Sequence, residues 1–352
     1  MPAPPSVSPV DVDLGAIASI IDIRPIGSRP LVLDGSVAVS SSELLADPAS
    51  FIPARHARVL VVCDLGVRSA SVASALSAAG YGNVQSLEGG IEGWRSSGRS
   101  VTTTTHLPAA VVDRFDRHIK LAEIGVAGHE RLMGSRIAVV GAGGLGSPVL
   151  TYLAASGVGA LRIIEPDKVE TSNLHRQPMY GPTDVGVKKA DAANHYLRRV
   201  NPDVEVDTYE VELDEDNAVN LLEGCKVVVD ATDRFDARYA IGDAAAHLGV
   251  PVVFGAVYRW EGRLAVFPAD GPCYRCLFPE PPNDARALEC AITGVLGPVA
   301  GTIGAMQATE AIKLASGIGS ELDGRLMIYD GWTQRSDTVT IRRHPDCPTG
   351  HS

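Results

Sequence analysis

The sequence predicts the α/β class in two domains: a small N-terminal α/β unit and a larger, doubly wound unit with a mixed sheet. Three observations carry this. The chain has 352 residues, more than one hydrophobic core usually organises. Short apolar runs alternate with helical stretches in both halves, the pattern of parallel strands joined by helices. Between the halves lies a seam. The segment Gly89-Gly90-Ile91-Glu92-Gly93-Trp94 is followed by a Ser/Gly/Arg stretch, a threonine run at 102–105 and Pro108, which read as a linker. The expected domains are 1–105 and 106–352.

Hydrophobic residues make up 45% of the chain and charged residues 21%, and the formal net charge is −11. The apolar content suits buried cores. The acidic balance argues against nucleic acid as a partner, which needs a basic face. No run of about 18 apolar residues is present, so no membrane span is expected. Residues 1–9 have neither the basic start nor the apolar core of a secretory signal. Of six cysteines, only Cys273 and Cys276 form a close pair. That is no disulfide framework, and a reducing cytoplasm is the expected compartment.

In the first domain, residues 20–23, 59–62 and 84–87 are apolar enough for buried strands. Residues 69–79 form a small-residue helix closed by Gly80. A helical pattern over 109–133 opens the second domain. Strands are expected at 136–140, 161–165, 227–230 and 252–254, and helices from the glycine run to about Ser156 and over 189–200. Residues 263–267 and 326–329 extend the sheet in mixed fashion.

Gly141-Ala142-Gly143-Gly144-Leu145-Gly146 stands between a strand and a helix. Glycines let the backbone approach a phosphate, and the helix N-terminus supplies N–H donors. Glu165 ends the following strand, where an acid binds ribose hydroxyls. The glycine motif alone does not separate NAD from ATP. Three later motifs favour ATP: Asn173-Leu174-His175-Arg176-Gln177, Gly186-Val187-Lys188-Lys189 and Asp230-Ala231-Thr232-Asp233-Arg234. They supply cations for a triphosphate and a carboxylate for Mg²⁺, which a nicotinamide site does not need.

With Arg114-Phe115-Asp116-Arg117-His118, Cys273-Tyr274-Arg275-Cys276 and Gly304-Ala305-Met306-Gln307-Ala308 in the same order, the second domain resembles the ThiF/MoeB/HesA family, relatives of the ubiquitin-activating enzymes. The resemblance implies a Rossmann-like fold, ATP-dependent adenylation of a carboxylate, and a homodimer. It implies a nucleotide site of Gly141, Gly143, Gly144, Gly146, Glu165, Asp167, Asn173, Arg176, Gln177, Lys189 and Asp233. Arg176 and Lys189 would hold phosphates and Asp233 would position Mg²⁺. Arg117 would cross the dimer interface to the partner's ATP. The family usually has Asp where Glu165 stands.

The family resemblance also implies a structural zinc site. Cys273 and Cys276 form one half, and Cys347-Pro348-Thr349-Gly350-His351 replaces the second pair. Two readings stay open: a Cys₃His site using His351, or less readily His344, and a site that binds nothing. Cys290, in a proline-rich segment that resembles the family's crossover loop, is a candidate nucleophile. Cys225 reads as structural.

Cys63-Asp64-Leu65-Gly66-Val67-Arg68-Ser69 joins a strand to a helix. Backbone N–H groups of such a loop, the helix N-terminus and Arg68 would stabilise a thiolate or persulfide at Cys63. With Ile21-Asp22-Ile23-Arg24 and Leu87-Glu88-Gly89-Gly90, this resembles a single-domain rhodanese. Together the resemblances imply an enzyme that adenylates the C-terminal glycine of a ubiquitin-like sulfur carrier ending in Gly-Gly. A Cys63 persulfide, filled from thiosulfate or a persulfide donor protein, then yields the thiocarboxylate. The alternatives are an activating enzyme acting through a Cys290 thioester with the first domain as a docking module, a docking protein with both sites idle, and, less favoured, an NAD oxidoreductase.

Overall fold

The computed structural model describes residues 5–25, 27–281 and 294–349. The chain divides into two compact units, residues 1–127 and 128–352.

The first unit is built on a five-stranded parallel sheet. Its strands are β1 (Ser6–Val7), β2 (Ser19–Asp22), β4 (Ser36–Ala38), β5 (Val59–Val62) and β6 (Val84–Leu87), in the order β1-β6-β5-β2-β4. A small antiparallel pair, β3 (Leu31–Val32) and β7 (Thr102–Thr103), stands beside it. All four residues of β5 are buried, as expected of a central parallel strand covered on both faces. Ile21, Val59 and Val61 face one core with Leu76, while Ile20, Leu60 and Val62 face another with Trp94. Alternate residues of one strand thus serve two cores.

The second unit carries an eight-stranded mixed sheet. It comprises β8 (Arg136–Val140), β9 (Ala160–Ile164), β10 (Glu205–Tyr209), β11 (Val227–Asp230), β12 (Val252–Tyr258), β13 (Glu261–Phe267), β14 (Arg325–Asp330) and β15 (Arg335–Thr340). The order is β10-β9-β8-β11-β12-β13-β14-β15. Strands β10 to β12 are parallel, and β13 to β15 continue the sheet in antiparallel pairing. The chain leaves β8 in one direction along the sheet and returns to β11 in the other. Ligands of open α/β sheets bind beyond the strand ends at that reversal.

The sequence does not announce β10 and β15, which sit at the two sheet edges, or the helices Phe235–Leu248 and Gly297–Ser316. The glycines at 297, 301 and 304 lie within the latter, whose 20 residues cross the sheet. A Cβ at Gly304 would stand 2.5 Å from the Leu145 carbonyl, so only glycine permits this close helix crossing. The helical pattern expected over 109–133 is three helices: Ala109–Arg114, Asp116–Ile119 and Gly125–Met133. The last starts at Gly125, whose φ is +58°. The N–H of Val126 donates to the Gly27 carbonyl at 2.8 Å instead of continuing a helical ladder. Residues 106–127, expected to open the second domain, lie in the first compact unit. Arg95 pairs with Asp113 at 2.8 Å and Lys120 with Glu92 at 3.0 Å. No helix among the described residues is long and apolar enough to cross a membrane.

Candidate active site

In the second unit, a cavity of about 1340 Å³ opens at the carboxyl ends of β8, β9 and β11. Gly141, Gly143, Gly144, Glu165, Asp167, Asn173, Arg176, Gln177, Lys189 and Asp233 all line it. Gly141 makes the turn with φ +96°. A Cβ at Gly146 would collide with the Gly141 carbonyl, so the helix enters directly behind the loop. Gly146 therefore shapes the loop rather than the cavity wall.

Glu165 is buried, and its carboxylate accepts from the N–H groups of Ala142 at 2.7 Å and Asp167 at 2.9 Å. Burial raises its pKa, against the pull of Lys189 and of these two donors. Lys189, also buried, places Nζ 2.8 Å from Asp167 and 3.9 Å from Glu165. Arg176 donates to the Ser172 carbonyl at 2.9 Å and lies 3.0 Å from His175 Nε2. Asn173 caps its own turn by accepting from Glu170 N–H at 3.0 Å. Gln177 is buried beside Gly143, and its Oε1 has no protein partner. An unpaired buried acceptor at the loop is a place for a ligand donor.

Asp233 is exposed on the loop after β11. Beneath it Asp230 is buried, and burial pushes its pKa up to about 7 despite Arg238 nearby. Arg238 donates to the Thr232 carbonyl at 2.9 Å and lies over the rings of Phe235 and Phe254. Gln307 reaches from the long helix to the Asp230 carbonyl at 2.7 Å. No sequence motif points to Arg238 or to Tyr180, whose hydroxyl donates to the Ala142 carbonyl at 2.9 Å. An arginine five residues after Asp233, in an alanine-rich helix, was the available signal.

Arg117 does not line this cavity. It is 94% exposed on Asp116–Ile119, with Nε 4.0 Å from Asp116. Cys290 and His351 lie outside the described residues.

Cys273, Cys276 and Cys347 converge, all three sulfurs within 4.8 Å of one another. Cys273 Sγ is 4.0 Å from Cys276 Sγ and 3.6 Å from Cys347 Sγ. Sulfurs of a tetrahedral zinc thiolate site stand about 3.8 Å apart, so the set fits zinc. Thr349 Oγ1 lies 3.0 Å from Cys347 Sγ and 3.4 Å from Cys273 Sγ. His344 Nδ1 accepts from Asp346 N–H at 3.2 Å, and the His344 N–H donates to Cys276 Sγ at 3.4 Å. Cys225 is not among the three and is buried in the core, where burial raises its pKa.

In the first unit, Cys63 follows β5 and is buried. Its sulfur accepts from the N–H groups of Gly66 at 3.1 Å and Ser69 at 3.4 Å, with Ser69 Oγ at 3.3 Å. Ser69 Oγ in turn lies 2.7 Å from Ser86 Oγ. These amides at the start of the helix Val67–Ala78 favour negative charge on the sulfur. Arg68 does not join them. Its Nη2 pairs with Asp64 Oδ2 at 2.6 Å, and its side chain is 53% exposed.

Two family models match the chain: the ThiF family over residues 115–349 and a rhodanese-like domain over residues 11–97. The SAMP-activating enzyme E1 of Haloferax volcanii is 48% identical over 245 residues, 70% of this chain and 91% of that protein. The sulfur carrier protein adenylyltransferase of Thermus thermophilus is 46% identical, over 67% of this chain and 90% of that protein. A probable adenylyltransferase/sulfurtransferase, MoeZ of Mycobacterium tuberculosis, is 43% identical over 67% of this chain but 62% of its own length. A crystal structure of E. coli MccB superposes with TM-score 0.62 at 17% identity, over 72% of this chain and 78% of that one, a likeness of fold. With a matching family model over most of its length, this chain belongs to the ThiF family and carries a rhodanese-like domain at its N-terminal end.

Proposed function

We propose that this protein uses ATP to adenylate the C-terminal carboxylate of a small ubiquitin-like sulfur carrier and then converts it to a thiocarboxylate through Cys63. The observation that carries the reading is the single cavity lined by the glycine loop, Glu165, Arg176, Lys189 and Asp233. Its volume, about 1340 Å³, exceeds the ~300–1,000 Å³ of an ordinary small-molecule site and suits a nucleotide together with a polypeptide tail. The names of the related carrier-protein and SAMP-activating enzymes support the same substrate class.

In this reading the loop amides cradle the phosphates and Glu165 binds the ribose. Asp167 and Asn173 shape the pocket, and Gln177 offers its free Oε1. The carrier carboxylate attacks the α-phosphorus, pyrophosphate leaves and an acyl-adenylate forms. Arg176 and Lys189 neutralise charge that develops on the phosphate oxygens. Asp233 would hold Mg²⁺, which supplies further charge neutralisation on the phosphates. Arg117, fully presented to solvent, would serve the partner's site in a homodimer. The terminal sulfur of a Cys63 persulfide then attacks the acyl carbon and AMP leaves. A thiol, from Cys290 or a reductant, attacks Cys63 Sγ-side sulfur of the acyl disulfide and releases the thiocarboxylate. The three cysteines would hold a structural zinc ion, with His351 as fourth ligand.

The test is intact mass of Gly-Gly carriers incubated with the protein, ATP, Mg²⁺, a sulfur donor and a reductant, with Cys63→Ala alongside. Exchange of one oxygen for sulfur that requires both ATP and Cys63 is expected. Carrier thioester on Cys290, with product independent of Cys63, would favour conjugation instead. Absence of any ATP–pyrophosphate exchange would overturn the adenylation reading.

A further inference from the structure

The loop that carries Cys63 has one cation of its own, Arg68, and one anion, Asp64, immediately after the nucleophile. The two pair with each other at 2.6 Å. The other Asp64 oxygen lies 3.9 Å from Arg24 Nη1, whose guanidinium is itself bonded to Asp22 at 2.7 Å. Asp64 is a quarter exposed, so its charge is felt at the surface of the loop. The remaining exposed side chains of the loop are apolar: Leu65 is 65% exposed and Val67 71%. The sulfur is thus served by backbone N–H groups, while the side chains that the same loop presents to solvent are a carboxylate, the guanidinium paired with it and two hydrocarbons.

From this arrangement we infer that Asp64 is a specificity-determining residue that biases Cys63 towards organic persulfide donors and against dianionic thiosulfate. The inference rests on the sulfur-transfer reading above. Both donors load the same atom. With thiosulfate, the Cys63 thiolate attacks the outer sulfur, the S–S bond breaks and sulfite leaves with the electron pair. Two negative charges must then wait beside Asp64 before the reaction and depart past it afterwards. With an organic persulfide R–S–SH, the thiolate takes the terminal sulfur, its proton passes to the leaving thiolate, and R–SH departs. No dianion forms, and an apolar R group finds Leu65 and Val67. Like charges placed together at a binding surface oppose association, and the opposition weakens with salt.

The experiment follows loading of the full chain by intact mass, scored as gain of one sulfur at Cys63 against donor concentration. The probes are thiosulfate and the persulfide of N-acetylcysteine methyl ester, each with the wild type, Asp64→Asn and Asp64→Ala. Melting curves check that the variants are folded. The wild type is expected to need about tenfold or more thiosulfate than persulfide for half-loading. Both variants free Arg68, lower the thiosulfate requirement by about tenfold and leave the persulfide value within about twofold. Equal loading of the wild type by the two donors, or an equal change for both in the variants, overturns the inference and spares the sulfur-transfer reading. If neither donor loads Cys63 while ATP–pyrophosphate exchange persists, the sulfur-transfer reading fails and takes the inference with it.

Discussion

Lys189 Nζ lies 2.8 Å from Asp167 Oδ2, and both residues line the cavity beside the glycine loop. Lys189 is buried, while the side chain of Asp167 is 64% exposed. An exposed acid therefore holds a buried cation at the cavity wall, and in the adenylation proposed above a phosphate would compete for it. Lys189→Ala is expected to reduce ATP–pyrophosphate exchange by about 10²–10³-fold, the scale of losing one charge-stabilising group. Asp167→Asn is expected to keep the fold and alter KM for ATP more than kcat. Exchange by Lys189→Ala within a few-fold of wild type would remove Lys189 from the reaction.

Asp230 gives a pH signature. Its ordinary pKa of 3.8 is raised by burial to about 7 in the folded protein. The unfolded chain loses this proton at lower pH than the folded one, so folding stability contributed here falls as pH rises from 3.8 through about 7. Asp230→Asn removes the titration. The stability of the variant relative to wild type should therefore increase over that window and level off above it. The upper bound is on the order of 4 kcal/mol, since each pKa unit is about 1.4 kcal/mol. Denaturant melts of the two proteins across the window measure it, and parallel pH profiles would contradict it.

Gly90 packs against the Cys63 loop. Its φ is +60°, and a Cβ would collide with the carbonyls of Cys63 and Asp64. Ile91 N–H donates to the Cys63 carbonyl at 2.9 Å in the same contact. Gly90→Ala is expected to destabilise the first unit by about 2 kcal/mol or more and to slow sulfur loading of Cys63. Gly82→Ala, with open space around its Cβ, is the control and should be neutral. Proteolysis and loading assays of both variants separate loop damage from nonspecific effects.

Metal analysis of the purified chain is expected to find one zinc per chain. Cys276→Ser should lose it and lower the melting temperature by more than about 5 °C, because binding of a structural metal is linked to folding. A metal-free wild type, with the Cys276→Ser melt unchanged, would show that the three cysteines only pack together.

Much of the parallel architecture was legible because its signals are local. β5, β6, β8 and β11 coincide with strands read from the sequence, and β5 is the clearest, its four apolar residues all buried as in a strand covered on both faces. The edge strands were not legible: β15 is exposed along its whole length, so nothing in its composition distinguishes it from a loop. The helix pattern over 109–133 misled because the Gly27 carbonyl, about a hundred residues upstream of the pattern's end, takes the N–H of Val126.

By itself, the sequence determined the glycine turn at 141–146, the acid after the next strand and the cysteine at the end of β5. Each follows from residues adjacent in the chain, whose backbone geometry is set within a few bonds. Only the tertiary structure decided what those groups meet. It set Lys189 between two carboxylates, brought Cys347 to Cys273 across 74 residues and sent Gln307 to the Asp230 carbonyl across 77. It also paired Arg68 with Asp64 rather than with the sulfur. Such partnerships depend on where whole elements pack and on which charge lies nearest once they have, and neither is carried by the spacing of residues along the chain.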